Sequence, residues 1–129
     1  MLQYFMKTYN YNLKDANLID FALFKNEQNI LVQIFCGETK EVLQSTIKLI
    51  LRNLPKAVCI GTTTDGEILN QEASIFNTVI SISTFENTKI SITHAKNNNS
   101  YKNGQNIANT LVNKKTKLLI RQILHFTNH

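Results

Sequence analysis

The sequence predicts an α/β fold: a mixed sheet with a parallel βαβ core and an antiparallel hairpin, and helices packed on the sheet. Three observations carry this. Two short apolar runs, "NILVQIF" (29–35) and "AVCIG" (57–61), flank an amphipathic stretch that ends at the only proline, Pro55. Strand, helix, strand within some thirty residues is the signature of two parallel strands joined by a crossover. After this unit the periodicity changes, and "IFNTVISISTF" (75–85) and "KISITHA" (89–95) alternate apolar with polar residues around "ENT", the pattern of an antiparallel hairpin.

Taken in order, "QYFMKTY" (3–9) reads as a first strand. Asn12 is a plausible N-cap for a helix whose apolar positions Leu18, Ile19, Ala22 and Leu23 share one face. The run 29–35 is too continuously apolar for a half-exposed strand and is expected to be buried and central. The clearest helix starts near Thr39, with Leu43, Ile47, Ile50, Leu51 and Leu54 at helical spacing, and Pro55 stops it. Strand 57–61 follows, parallel to 29–35, so the C-terminal ends of both lie on one edge of the sheet. "KNNNSYKNG" is a loop, Ile107, Ala108, Leu111 and Val112 form a short amphipathic helix, and "KLLI" (117–120) begins a last strand.

Composition bounds the function. The 129 residues fit a single domain (1–129), long enough to bury roughly two thirds of the surface of the unfolded chain. With 43% hydrophobic and 18% charged residues, the chain is globular and not disordered. No run approaches the length of a membrane span, and "MLQYFMKTYNYN" lacks a secretory leader, which points to the cytoplasm. Cys36 and Cys59 sit in or at the end of apolar runs and are expected to be reduced, buried thiols. A net charge of +5, densest in "NKKTK" (113–117) and at Lys96 and Lys102, lacks the arginines and interleaved aromatics of a nucleic-acid surface, so no nucleic-acid partner is expected.

Enzymatic readings fare worse, and a small enzyme that uses Cys36 or Cys59 is kept as a third alternative. His94, His125 and His129 form no metal-ligand pattern with the cysteines, and no metal or other cofactor is expected. A nucleophile elbow, a phosphate-binding Gly-Lys loop and a dinucleotide Gly-rich turn are all missing from the sequence, so the protein is expected not to be an enzyme.

The segment "AVCIGTTTDGEI" (57–68) is the candidate site. In parallel α/β sheets ligands collect beyond the strand C-termini, where loop amides and hydroxyls are unpaired. Cys36, Gly37 and Glu38 end the neighbouring strand on the same edge, beside Gly61, Thr62, Thr63, Thr64, Gly66 and Glu67. Threonine hydroxyls both donate and accept, glycine admits close approach, and Glu67 suits an ammonium group. The bland alternative stays open: the threonines cap a tight connection, Gly66 supplies a positive φ, and Glu67 is solvated.

The order of elements from about residue 12 to residue 120, the strand ending "VQIFCGE", the helix ending "LRNLPKA" and above all "IGTTTDGEI" resemble the N-terminal part of the FIST sensory domain. The matching positions are Cys36, Gly61, Thr63, Thr64, Gly66, Glu67 and Ile68. Thr62 stands where the family often has cysteine, and the chain turns to "RQILHFTNH" where the family continues. The resemblance implies a bacterial or archaeal intracellular input domain that binds a small ligand such as an amino acid. It further implies an output partner: a cyclic-dinucleotide enzyme, a histidine kinase or a chemotaxis receptor. The chain is then expected to be the N-terminal part of such a domain, without its C-terminal remainder or an output module. The alternative is a protein–protein interaction module, or a truncated sensor, that binds no ligand.

Overall fold

The computed structural model describes residues 6–69, 71–96 and 99–111. They divide into two compact units, one ending at Ile90 and one beginning at Ser91.

The first unit is built on four strands: β1 (Met6–Leu13), β2 (Asn29–Cys36), β3 (Val58–Thr63) and, after two short strands β4 (Glu67–Leu69) and β5 (Glu72–Ser74), β6 (Thr78–Phe85). Their order across the sheet is β1-β6-β2-β3. β6 runs antiparallel to both β1 and β2, while β2 and β3 are parallel. Between β2 and β3 lies α1 (Lys40–Asn53), so the expected parallel βαβ core within a mixed sheet is present.

Local chemistry explains α1. Thr39 caps it, accepting a hydrogen bond from the Val42 N–H at 3.3 Å, and so satisfies one of the free donors of the first turn. Leu54 closes it with its N–H on the Ile50 carbonyl at 2.7 Å, immediately before Pro55. Leu43, Ile50 and Leu54 are buried against Ile30, Val32, Ile34, Cys36, Ile80 and Ile82. Burying each such side chain stabilises the fold by roughly 1.5–3 kcal/mol. Gly61 permits the close approach of α1 to β3, since a Cβ there would lie 2.8 Å from Leu43 Cδ1 and 3.3 Å from Ile34 Cβ.

β2 is central, as its sequence predicts, but only one of its faces is dry. Ile30, Val32, Ile34 and Cys36 point toward α1 and are buried, whereas Phe35 on the other face is 37% exposed. Within this unit α1 covers one face of the sheet, so burial along β2 alternates despite its continuous apolar run.

Two sequence expectations are corrected. The helix expected from Asn12 is absent: Asn12 lies within β1 opposite Val79, and two 3-10 turns follow, Ala16–Leu18 and Phe21–Phe24. Each begins on an aspartate whose side chain captures a backbone N–H two residues on, Asp15 that of Asn17 at 2.9 Å and Asp20 that of Ala22 at 3.1 Å. These local bonds compete with helix continuation. The buried anchors Ile19 and Phe24 are five residues apart, a spacing that no single helical face provides, while Leu18 and Leu23 are exposed. Phe24 packs edge-on against Tyr9 with ring centroids 5.1 Å apart.

The antiparallel hairpin is also elsewhere than expected. It is formed by β4 and β5, with Ile68 opposite Ala73. Residues 89–95 form no strand, and β6 instead enters the sheet between β1 and β2. A two-sided central place suits β6 because its polar residues find partners there: Ser83 shares a 3.1 Å hydrogen bond with Thr8, and Thr78 Oγ1 donates to Cys36 Sγ at 3.5 Å.

In the second unit, residues 91–96 have no regular structure and α2 spans Ser100–Leu111. The Asn99 side chain accepts from the Lys102 N–H at 3.1 Å at its start. Ile107, Ala108 and Leu111 lie half-buried, at the helical positions the sequence predicts. Val112 and the strand expected at 117–120 lie outside the described residues, as do Met1 to Phe5.

Candidate functional site at the carboxyl edge

The register places Leu13, Thr78, Cys36 and Thr63 in one row across β1, β6, β2 and β3. The C-terminal ends of β2 and β3 therefore lie side by side, where the sequence places them. Two backbone bonds tie the segments beyond that row together. The Gly37 N–H donates to the Asn77 carbonyl at 2.8 Å, and the Thr64 N–H donates to the Cys36 carbonyl at 2.9 Å. The amino end of α1 starts at this edge, with its cap Thr39 three residues after Cys36.

A cavity of about 320 Å³ opens here, lined by Glu38, Lys40, Thr63, Thr64 and Asp65. Its chemistry is two-signed, with two carboxylates, one ammonium and two hydroxyls. The start of α1 adds to the positive side, because the helix dipole favours an anion there. Nearby, its own backbone N–H and the Thr39 side chain hold the Glu41 carboxyl below its ordinary range.

The nine sequence-predicted residues separate into distinct environments. Glu38, Thr63 and Thr64 line the cavity, and Gly37 sits beside it, half-buried. Cys36 is fully buried behind it, and its thiol faces the Thr39 carbonyl at 3.8 Å. Gly61 is buried beneath Leu43. Thr62 shares its sheet face with Phe35, opposite to α1, and its hydroxyl donates to the Thr63 carbonyl at 3.1 Å. Gly66 is exposed, and no glycine among the described residues has a positive φ. Glu67 opens β4, paired with Ser74.

Lys40 and Asp65 were not among the residues singled out by sequence. Both had a signal: Lys40 is the first helical residue after the Thr39 cap, and Asp65 stands inside the motif between Thr64 and Gly66.

The cysteines are free. They point to the same face from adjacent strands, Cys36 opposite Thr63 and Cys59 opposite Val32, four residues apart along the sheet. Burial pushes the Cys59 thiol up to about 11, which leaves little nucleophilic thiolate at neutral pH. Among the described residues no group of three or more His, Cys, Asp or Glu side chains is placed to hold a metal ion. No helix among them is long and apolar enough to cross a membrane. His94 is exposed, and His125 and His129 lie outside the described residues.

No curated protein and no solved structure matches the chain. A protein-family model does: that of the FIST N domain, over residues 30–127, a span that takes in β2 from its second residue, α1, β3 and the whole cavity lining. Strand, capped helix, Pro55 stop and the "GTTTDGE" edge thus occur together within the matched region, and the chain belongs to the FIST N domain family, a sensory family of signal transduction and not a catalytic one.

Proposed function

We propose that the chain senses a small zwitterionic ligand, an amino acid or related metabolite, at the carboxyl edge of β2 and β3. The observation that carries this reading is the cavity itself: carboxylates of Glu38 and Asp65 for an ammonium group, with Lys40, the Thr63 and Thr64 hydroxyls and the amino end of α1 for a carboxylate. Its volume of about 320 Å³ lies in the range of small-molecule sites. Glu67, next in the chain to Gly66, adds a further carboxylate to the motif. Cys36 and Gly61 support the site from behind, as packing residues.

In this reading the chain is the amino-terminal part of a bacterial cytoplasmic input domain. Its signal passes to an output partner such as a cyclic-dinucleotide enzyme, a histidine kinase or a chemotaxis receptor. Two free cysteines suit a reducing compartment. The chain itself is read as non-catalytic, without cofactor.

A second reading, a protein–protein interaction module, draws on a different observation. Ile68, Ile75 and Phe76 on and after the β4–β5 hairpin are 78%, 65% and 71% exposed, and Phe76 is held at φ 58°, a conformation bulky side chains rarely adopt.

A thermal-shift screen of amino acids and related metabolites separates the two. A ligand at a hundred times its Kd stabilises the fold by about 2.7 kcal/mol. Glu38→Gln, Asp65→Asn and Glu67→Ala are expected to abolish the shift while leaving the unliganded Tm nearly unchanged. An equal shift in all three variants would place the site elsewhere.

A further inference from the structure

A second concavity, of about 370 Å³, lies between α1 and the first 3-10 turn, and it shares no lining residue with the carboxyl-edge cavity. Lys14 and Asp15 border it on one side; Ser45, Lys48 and Arg52 border it on the other, on the helix stripe next to the one that faces the sheet. Three cations thus face one carboxylate, and that carboxylate is already engaged: Asp15 Oδ1 accepts from both the N–H and the side-chain amide of Asn17, at 2.9 and 2.7 Å. Val42 and Leu49 supply apolar wall.

Thr46 adds a hydroxyl to this lining. It is only 8% exposed, yet it lines this groove. A helical hydroxyl ordinarily returns to a carbonyl one turn back, as Ser45 does to Val42 at 2.9 Å and Thr110 to Asn106 at 2.8 Å. Thr46 makes no such bond to a described residue, and its oxygen is not among the buried side-chain atoms that lack a partner. A hydroxyl both donates and accepts, so Thr46 can donate to a ligand oxygen held in the groove.

We infer that this groove binds a small phosphorylated ligand. Arg52 presents the planar donor fork that matches phosphate oxygens, Lys48 and Lys14 add charge, and Thr46 donates from the floor. The surplus of two positive charges matches a phosphate dianion, and Val42 and Leu49 take the organic part. Because the cations are exposed, binding weakens as salt rises.

The test is a titration of the 15N-labelled full chain with glycerol 2-phosphate and with pyrophosphate, against succinate as a dicarboxylate of equal charge at constant ionic strength. The expected result is saturable movement of the amides of Lys14–Asn17 and Ser45–Leu49 with the phosphates. Arg52→Gln, Lys48→Gln and Thr46→Val are each expected to weaken it about fivefold, and Lys25→Gln, away from the groove, to leave it unchanged. Thr46→Val keeps the shape of the side chain, and the two charge changes are on exposed residues, so the fold is retained. Shifts spread over lysines generally, succinate binding as well as phosphate, unchanged affinity in the three variants, or no saturation up to about 20 mM would overturn the inference. These reporters are separate from the amides of Gly37, Glu38 and Thr63–Gly66, so this proposal and the amino-acid site succeed or fail independently.

Discussion

Substituting Gly61 by alanine tests whether the first glycine of "GTTTDGE" serves packing. The added Cβ would come 2.8 Å from Leu43 Cδ1, 3.3 Å from Ile34 Cβ and 3.5 Å from the Ile34 carbonyl oxygen. Carbon pairs prefer about 3.5–4.0 Å, so the worst contact overlaps by roughly 0.7 Å. Leu43 is 8% exposed and Ile34 fully buried, so relief requires moving a core side chain or lifting α1 from β3. Overpacking of this kind costs about 1–3 kcal/mol. Restricting the unfolded chain offsets about 0.4–1 kcal/mol of that, leaving a net loss of roughly 1–2 kcal/mol. For a chain of this length the Tm falls by on the order of 5 °C, read by circular dichroism melting. Leu43→Ala removes the clashing methyl group. A double-mutant cycle is therefore expected to show the two changes costing less together than their sum. A neutral or stabilising Gly61→Ala, or strict additivity with Leu43→Ala, would refute the packing argument.

Thr39→Ala removes the cap of α1 and is expected to cost about 1 kcal/mol in chemical denaturation, with an unchanged m-value. Disulfide-exchange labelling at pH 8 is expected to be slow at both cysteines and slower at Cys36, which is fully buried; the thiol of Cys59, raised to about 11, leaves roughly a thousandth as thiolate. Rapid labelling of Cys36 would contradict its placement. The Cys59 thiol keeps its proton in the fold up to about pH 11, while the unfolded chain releases it near 9. The folded state thus binds more protons between those values, and stability falls as pH rises through that window. Cys59→Ala is expected to flatten the slope, as measured by urea denaturation from pH 8 to 11. Tyr11, raised first by burial and then by Tyr9 and Asp20, adds to the loss in the same direction at higher pH.

The βαβ core was legible in the sequence because its signals are local and mutually consistent: Thr39 as cap, Leu43–Ile47–Ile50–Leu54 as the buried stripe, Pro55 as the stop. The place of β6 was not. Its alternation predicts a strand but says nothing of its neighbours, and only the register shows Ser83 against Thr8 and Thr78 against Cys36 inside the sheet. The 3-10 turns escaped notice for a related reason. Leu18, Ile19, Ala22 and Leu23 do fit a helical face, but the aspartates at 15 and 20 divert the backbone, and Ile19 and Phe24 become the buried anchors. At the candidate site the edge itself was legible from the parallel strands. Strand polarity does not tell which residues face the cavity: Thr63 lines it while its neighbour Thr62 falls on the other face, because successive strand residues alternate.

The central claim, a small-ligand site at the carboxyl edge of β2 and β3, is tested most directly by following backbone amides of the full chain during titration with an amino-acid panel. The account predicts that one compound moves Gly37, Glu38 and Thr63–Gly66 saturably, together with the first turn of α1, and that Asp65→Asn removes the response. Saturable movement confined to other residues, or a response untouched by Asp65→Asn, would contradict it.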